Sequence, residues 1–196
     1  MELIFASANR DKLAEARKIF GPRHTLLIPA DLGYTEDIPE TGATLRENSI
    51  QKARFVWNLF HRPCFSDDTG LEVDALGGAP GVFSARYAGE PKSTERNIAK
   101  LLKDLEGVPA ALRTARFKCV VSFICDGELS LFEGACEGSI LFAPVCRDAF
   151  GYDPVFVPQG GERTMAEMSM EEKNAISHRG KAMQQLACHL SQNPRP

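Results

Sequence analysis

The chain has 196 residues, 43% of them hydrophobic and 25% charged, with a formal net charge of −3. This size and composition predict a single globular domain over residues 1–196 with a substantial core. The mild negative charge excludes a protein that coats nucleic acid or a membrane surface through a basic face. An anionic substrate would therefore have to be attracted by local cations or by a metal ion.

Six cysteines are spread along the chain without any Cys-x-x-Cys pair. Several lie in apolar, strand-like stretches, which is typical of buried free thiols in a reducing compartment and argues against a zinc site. The sequence starts with the apolar run 3–6 and has neither a basic leader nor an apolar stretch of membrane-spanning length. These features predict a cytoplasmic protein that is not bound to a membrane.

The first predicted unit is a buried strand over residues 3–6 followed by a helix over residues 10–20, which a Gly-Pro pair ends. Ser7 or Asn9 can cap the helix. A strand that leads directly into a helix leaves backbone N–H groups at the helix start, and together with Lys12 these make a natural phosphate site. A plain capped surface helix is the alternative.

A second helix is predicted from a capping box. Thr44 and Glu47 form this box, and the helix runs to about Phe60. Asn48 and Lys52 are one helical turn apart, so they lie on one face. They could reach a binding site, although solvent exposure is the more frequent outcome for such a pair.

The most unusual stretch is Asp67-Asp68-Thr69-Gly70, in which two adjacent carboxylates precede a hydroxyl and a glycine. Residues 71–76 alternate apolar and acidic side chains and predict a strand, so the acidic pair is expected in a bend beside it, with Gly70 at positive φ. Adjacent carboxylates repel unless a cation or a shared proton stabilises them. Carboxylate and hydroxyl oxygens suit Mg²⁺. A solvated acidic turn is the alternative.

The second half of the chain is dominated by a predicted hairpin. Residues 93–105 predict a helix, and strands over residues 116–126 and 128–141 meet at Asp126-Gly127, a strong turn signal between alternating apolar residues. Helices and strands alternate in the first half, whereas the hairpin dominates the second. This order predicts a mixed α/β sheet and not a purely doubly wound one.

Near the C-terminus, two further stretches carry groups that could bind a ligand. The first is a loop whose aromatic rings flank a glycine, made of Phe150, Gly151, Tyr152 and Asp153. Its rings could stack on a flat ligand or pack in the core. The second is a helix predicted from a capping box at residues 169–172 to about residue 190, which carries Lys173, His178 and Arg179. A solvated basic helix face is the alternative.

Together these stretches supply the parts for binding a Mg²⁺-nucleotide. They offer phosphate donors at the first helix, an acid cluster at Glu40, Asp67 and Asp68, a stacking face, and hydrogen-bond donors for a base edge. Phosphoryl chemistry needs such positioning and charge neutralisation more than it needs a covalent nucleophile. A Gly-x-Ser-x-Gly nucleophile motif is absent from the sequence.

These motifs, in this order and over nearly the whole chain, resemble the inosine triphosphate pyrophosphatase family, with the bacterial branch the closer match. The matching segments are Ser7-Ala8-Asn9-Arg10-Asp11-Lys12, Glu40-Thr41-Gly42, Glu47-Asn48, Lys52-Ala53-Arg54, Asp67-Asp68-Thr69-Gly70-Leu71, Gly77-Gly78-Ala79-Pro80-Gly81, Ser84-Ala85-Arg86-Tyr87, Phe150-Gly151-Tyr152-Asp153-Pro154 and Ser177-His178-Arg179-Gly180. One departure is Ala8, where the family often has glycine, because alanine has less freedom to bring the backbone close to phosphate.

The resemblance implies an elongated mixed α/β sheet with flanking helices, two lobes around a central cleft, and a homodimer. It implies that the enzyme hydrolyses ITP, dITP and XTP, which are non-standard purine nucleoside triphosphates, to the monophosphate and pyrophosphate. Such a reaction cleanses the nucleotide pool. The implied cofactor is Mg²⁺, the implied partner is the small-molecule substrate, and neither nucleic acid nor a membrane is expected to bind.

The resemblance also implies a role for each matching residue. Glu40 and Asp68, with Asp67 beside them, would hold Mg²⁺, and Asp68 would also activate the attacking water as general base. Substrate contacts are implied for Ser7, Ala8, Asn9, Arg10, Asp11, Lys12, Lys52, Thr69, Phe150, Gly151, Tyr152, Asp153, Lys173, His178 and Arg179. Within this set, Lys12 would be the principal cation for the triphosphate and Phe150 would stack on the base.

Three other functions stay open at this level. A Maf-like nucleotide pyrophosphatase resembles this family in fold and reaction but prefers other bases, and the intact His178-Arg179 segment argues against it. A nucleotide sensor would bind without cutting and would not need a water-activating base such as Asp68. A structural or interaction protein would leave the ordered match unexplained.

Overall fold

The computed structural model describes residues 1–146 and 149–193. Within these ranges the chain forms one seven-stranded sheet and five α-helices. The strands are β1 (Glu2–Phe5), β2 (Thr25–Leu27), β3 (Cys64–Val73), β4 (Pro80–Gly81), β5 (Thr114–Cys125), β6 (Glu128–Ile140) and β7 (Phe156–Pro158). The helices are α1 (Arg10–Phe20), α2 (Leu45–Phe60), α3 (Thr94–Asp104), α4 (Met170–Ile176) and α5 (His178–Gln192).

The sheet is mixed, which confirms the predicted fold class. Its hydrogen-bonded order is β2-β1-β3-β5-β6-β7, and β4 pairs with β3. β1 runs parallel to β2 and β3, whereas β4 is antiparallel to β3 and β7 is antiparallel to β6. Between β5 and β6, Asp126 and Gly127 have φ of 52° and 80°. Two consecutive positive φ angles are the signature of a type I′ turn, so the hairpin prediction is confirmed.

The chain divides into two compact units, and β3, β5 and β6 each contribute residues to both. Unit 1 comprises Met1–Asp68, Cys119–Gly134 and the described chain from His178 onward. Unit 2 comprises Thr69–Lys118 and Ala135–Ser177. The single domain predicted over residues 1–196 stays a prediction.

In unit 1 the strands lie between two helical layers. Leu3 and Phe5 of β1 pack in a core with α1 and α5, whereas Ile4 and Ala6 pack in a second core with α2. Successive side chains of a strand point to opposite faces of the sheet, so they pack alternately against the two helical layers. The same alternation in β3 decides which helix each neighbouring side chain meets.

Unit 2 has a separate apolar core. Leu71 and Val73 of β3 pack there with Ile98 and Leu101 of α3, the helix that the sequence predicts over residues 93–105. Tyr152 is also buried in this core. Over both described ranges, every helix is too short or too polar to cross a membrane.

The surroundings of the acidic pair differ from the prediction. Asp67 and Asp68 lie inside the ten-residue strand β3 and not in a bend, and Gly70 has the extended backbone of that strand. The strand ends at Val73, and Asp74–Leu76 forms a 3₁₀ turn where the sequence pattern predicts further strand. Helices on both faces of the sheet place cations next to these two carboxylates, and this offsets the repulsion between their charges.

The C-terminal helix is broken where the sequence predicts a continuous one. Ser169 caps α4 as expected, but Ser177 has extended backbone, with φ −69° and ψ 155°, and ends that helix. A new helix, α5, therefore begins at His178. The buried residues of its apolar face include Ala182, Met183, Leu186 and Leu190.

Candidate active site

The two adjacent carboxylates of β3 face different helices. Asp67 is 1% exposed and Asp68 is 9% exposed, so the solvated acidic turn is excluded. Because they are consecutive in a strand, their side chains point to opposite faces of the sheet. Asp67 is on the side of α1 and α5, and Asp68 is on the side of α2. The acidic pair therefore belongs to two separate groups of charges.

The first group is a buried chain of ion pairs around Asp67. Lys12 of α1 lies 3.0 Å from both oxygens of Asp67, and Arg179 Nε of α5 donates to Asp67 Oδ2 at 3.0 Å. Arg179 Nη1 also pairs with Glu15 of α1. Burial by itself raises the pKa of Asp67, but Lys12, Arg179 and Lys52 outweigh it and hold the pKa well below its ordinary value. Asp67 is therefore ionised at neutral pH.

The charges of this group balance. Burial favours neutral Arg179, but Asp67 and then Glu15 outweigh it and raise the pKa of Arg179. Two cations, Lys12 and Arg179, thus face two carboxylates. These ion pairs differ from the metal contact predicted for Asp67 and the substrate contact predicted for Arg179, and both contacts stay predictions. The sequence does not predict the part of Glu15 in this group. A single acidic residue within an amphipathic helix normally lies on the solvent face, so nothing in the pattern distinguishes it.

The second group surrounds Asp68 on the side of α2. Lys52 Nζ donates to Asp68 Oδ1 at 3.2 Å and to Glu40 Oε1 at 2.5 Å. Asn48 Nδ2, one turn earlier in α2, donates to Asp68 Oδ2 at 3.3 Å. Asn48 and Lys52 are 2% and 5% exposed, so the solvent-exposed alternative for this pair is wrong.

Burial and the neighbouring charges have opposing effects on the pKa values of Asp68 and Lys52. Burial raises the pKa of Asp68, Lys52 and Lys12 oppose the rise, and the nearby Glu40 adds to it, leaving the pKa above its ordinary value. Burial lowers the pKa of Lys52, but the charges of Asp68, Asp67 and Glu40 raise it by more. Lys52 is therefore charged, while Asp68 is a carboxylate with increased affinity for a proton.

The segment that carries Glu40 is anchored to the start of α2. Gly42 N–H donates to Asn48 Oδ1 at 2.7 Å, and Thr41 N–H donates to Gln51 Oε1 at 2.9 Å. A Cβ on Gly42 would lie 2.6 Å from the Cβ of Glu47, closer than real contacts allow. Asn48 thus links the Glu40 segment to Asp68. Gln51 was not anticipated, although its position one turn after Asn48 places it on the same side of the helix.

The donor set suits a hard cation that brings other ligands with it. Glu40 and Asp68 already share one ammonium, so two carboxylates converge on a point of positive charge. Within the described ranges, no group of three or more His, Cys, Asp and Glu side chains is placed to hold a metal ion. Two carboxylates without such a cage fit Mg²⁺, which takes its remaining ligands from phosphate and water, better than they fit zinc or calcium.

The turn before α1 is built as predicted. Asn9 caps the helix, because its Oδ1 accepts from the N–H groups of Asp11 at 2.9 Å and Lys12 at 3.1 Å. Ser7 Oγ accepts from Asn9 N–H at 3.2 Å. The exposed residues of this turn are Ala8, Asn9, Arg10 and Asp11. Two of the helix-start N–H groups thus have Asn9 as a partner, and Lys12 extends from the same turn to Asp67.

Unit 2 carries a group of its own around Lys173. Lys173 Nζ donates to Asp153 Oδ2 at 2.7 Å and lies 5.3 Å from the centroid of the Phe150 ring. Tyr152 packs in the core, with its hydroxyl donating to the Ser84 carbonyl at 2.9 Å, so the packing alternative holds for this ring. Gly151 has φ +55° and allows the turn between the two aromatic residues.

Two further predicted site residues are Thr69 and His178. Thr69 follows Asp68 in β3 and is partly buried, and His178 is the buried first residue of α5. Lys173, His178 and Arg179 are 8%, 4% and 1% exposed. A solvated basic helix face is therefore wrong for all three residues.

Comparison with known proteins agrees with the fold and the motifs. The sequence model of the Ham1 family matches residues 3–189. The dITP/XTP pyrophosphatase of Christiangramia forsetii is 48% identical over 191 residues, which is 97% of this chain and 100% of that protein. The dITP/XTP pyrophosphatase of Porphyromonas gingivalis is 49% identical over 187 residues, covering 94% of this chain and 95% of that one.

Solved structures give the same result. The Ham1 protein of Staphylococcus aureus has a TM-score of 0.88 and 39% identity, covering 98% of this chain and 100% of that chain. A nucleoside-triphosphatase, or dITP/XTP pyrophosphatase, of Mycobacterium abscessus has a TM-score of 0.76 and 41% identity, covering 95% and 98%. The family resemblance found in the motifs is confirmed. On these full-length matches, the chain belongs to the Ham1 family.

Proposed function

We propose that this protein hydrolyses the non-standard purine nucleoside triphosphates ITP, dITP and XTP to the monophosphate and pyrophosphate, and so cleanses the nucleotide pool. Membership of the Ham1 family and the names of the dITP/XTP pyrophosphatases that match over the full chain support this reaction. The observation that carries it is buried Asp68, held by Lys52 and Asn48 with Glu40 beside it. A protein that only binds nucleotides has no need of such a proton acceptor.

In this reaction Asp68 acts as the general base. The water oxygen bonds to the α phosphorus, one water proton passes to the Asp68 carboxylate, and the bond from the α phosphorus to the bridging oxygen breaks, so that pyrophosphate leaves with that oxygen. Burial favours this role, because a carboxylate whose pKa lies above the ordinary value accepts a proton more readily near neutral pH. Lys52 keeps Asp68 ionised before the reaction and holds one of its oxygens in place.

Lys12 is the proposed cation for the triphosphate. Asp67 contacts its ammonium from within the sheet, and the side chain of Lys12 is 14% exposed, whereas that of Asp67 is fully buried. Such an anchor reduces the conformational freedom of a long side chain before the substrate binds. Lys12 lies in the first turn of α1, next to the Asn9 cap, and anions favour this end of a helix.

Mg²⁺ is the proposed cofactor. Glu40 and Asp68 would hold it. The Lys52 ammonium, which contacts both carboxylates, would shift to accommodate the added positive charge of the ion. When bound, the ion neutralises charge on the phosphates and orients them. A Mg²⁺ titration followed by thermal unfolding tests this part without any turnover: the wild type is expected to be stabilised, and Glu40→Gln to be stabilised much less.

Selection of the base is proposed to depend on unit 2. Phe150 would stack on the purine, and the Lys173 ammonium, which only donates hydrogen bonds, would face its edge. A 6-oxo group accepts such a bond, whereas the 6-amino group of adenine leaves the donor unpaired. We further propose that the protein is a cytoplasmic homodimer, as the family resemblance implies, and sedimentation equilibrium tests the dimer.

The decisive experiment is pyrophosphate release measured in parallel from ITP, dITP, XTP, ATP, GTP, dTTP and UTP, with and without Mg²⁺. Fast release from ITP, dITP and XTP alone is expected. Preference for dTTP or UTP would favour the Maf-like alternative. Binding without release from any of the seven nucleotides would favour the sensor. Asp68→Asn is the matched variant, expected to lose turnover while it still binds ITP.

A further inference from the structure

Side chains on one face of β3 contact the backbone of α2, and Asp68 follows them on the same face. Cys64 Sγ donates to the Ala53 carbonyl at 3.4 Å, and Ser66 Oγ donates to the Ser49 carbonyl at 2.5 Å. Cys64, Ser66 and Asp68 alternate along the strand and therefore share one face. The first two side chains are inaccessible to solvent.

The spacing of these contacts is regular. Two residues of a strand advance by about 6.6 to 6.8 Å. Four residues of a helix advance by about 6.0 Å. The Ala53 and Ser49 carbonyls are four residues apart, so the spacing of these two carbonyls along α2 nearly matches the spacing of Cys64 and Ser66 along β3. The next side chain on this face is Asp68, which meets Asn48 and Lys52.

The contact between Ser66 and Ser49 is reinforced by a second strand, β5. Ser49 Oγ lies 3.1 Å from Ser66 Oγ and donates to Ser122 Oγ of β5 at 2.8 Å. All three serines are fully buried. Buried hydroxyl groups need hydrogen-bond partners, so this cluster has a preferred arrangement that an apolar contact would lack. It resists a sliding movement of α2 along β3.

We propose that Ser66 is a positioning residue for the active site. Its hydrogen bond fixes α2 along the axis of β3 and thereby holds Lys52 and Asn48 on Asp68, two residues further along the same face. The inference rests on the proposed function, because it assigns the contact a part in that reaction. A displacement of about 1 Å at a reacting group can reduce the rate by about 100-fold, so even a small slide of the helix matters.

The test compares three variants in pyrophosphate release from ITP. Ser66→Ala removes the contact next to Asp68, and Cys64→Ala is the matched control, because it removes the equivalent contact further from the site. Ser66→Cys is the conservative variant, since a thiol already makes this type of bond at Cys64. We expect kcat to fall roughly 10- to 100-fold in Ser66→Ala with KM changed less than about twofold, to stay near wild type in Cys64→Ala, and to recover partly in Ser66→Cys.

Urea unfolding and a crystal structure separate positioning from general destabilisation. Both alanine variants are expected to lower the urea midpoint by similar amounts, and the Lys52 Nζ to Asp68 Oδ1 distance is expected to exceed 3.2 Å only in Ser66→Ala. An unchanged distance, or equal losses of kcat in both alanine variants, would overturn the inference. If wild type releases no pyrophosphate, the proposed function fails, and the distance still decides whether Ser66 positions α2.

Discussion

Replacing each of the two adjacent carboxylates by its amide is expected to have opposite consequences. Asp67→Asn leaves the buried cations Lys12 and Arg179 without the anion that lies between them. Asp68→Asn removes a carboxylate whose ionisation burial disfavours, and Lys52 keeps Glu40 as a partner. The first change should therefore reduce stability, and the second should reduce catalysis.

The magnitudes follow from burial. Removing one partner of a buried ion pair typically costs about 3–5 kcal/mol, a large part of the roughly 5–15 kcal/mol that holds a domain folded. With a urea dependence of about 1–3 kcal/mol per molar, the unfolding midpoint of Asp67→Asn should fall by roughly 1 to 5 M. For Asp68→Asn we expect a smaller stability change, because Lys52 keeps Glu40 as a partner, and a loss of kcat of about 10²- to 10⁴-fold.

The assay is urea unfolding followed by circular dichroism, with pyrophosphate release from ITP measured on the same preparations. The pH dependence gives an independent check. Since the pKa of Asp67 is lower in the folded chain than its unfolded value of about 3.9, its contribution is present above about pH 5 and is lost as the pH falls further. The stability difference between wild type and Asp67→Asn should therefore shrink below about pH 4.

Equal stability of wild type and Asp67→Asn at neutral pH would refute the assignment of Asp67 to a buried ion-pair chain. A loss of stability in Asp68→Asn as large as in Asp67→Asn would refute the separation of the two carboxylates. Either result would mean that the opposite faces of β3 do not divide the charges in the way that the contacts indicate.

Three further outcomes are expected. Mg²⁺ should raise the thermal unfolding temperature of wild type and of Asp67→Asn, but much less that of Asp68→Asn; equal shifts in all three would argue against Asp68 as a ligand. Gly42→Ala should reduce kcat by displacing the Glu40 segment, because its Cβ would lie 2.9 Å from a backbone nitrogen of α2, and unchanged kinetics would contradict this. Gly134→Ala should cost about 1–3 kcal/mol in urea unfolding, because its Cβ would lie 2.1 Å from a backbone oxygen of α5; a neutral effect would contradict that packing.

The local elements were predictable because short-range chemistry determines them. The capping box at Thr44 and Glu47, the Asn9 cap and the Asp126-Gly127 turn each depend on side chains within a few residues of the backbone that they bind. These signals gave the starts of the helices and the hairpin correctly. The break at Ser177 escaped prediction, because the residues around it continue a helical pattern and a serine does not by itself end a helix.

The membership of the charge groups was not predictable from local patterns. The motif resemblance implies which residues take part and names Asp67 and Asp68 together as metal ligands, but it does not indicate which cations contact each of them. Their contacts come from Lys12, 55 residues from Asp67 in sequence, and from Arg179, 112 residues away. Glu15 and Gln51 carry no sequence signal that distinguishes them from ordinary surface residues of a helix.

The sequence by itself therefore determined the caps, the hairpin, the mixed α/β class and the family, since these depend on local hydrogen bonds and on the order of motifs. Long-range packing, which local patterns do not reveal, brings Asp67 to Lys12 and Arg179 and Asp68 to Lys52, which also contacts Glu40. The physical reason is that neighbouring side chains of a strand point to opposite faces. Which helix packs on each face is determined by burial of apolar residues over the whole of unit 1.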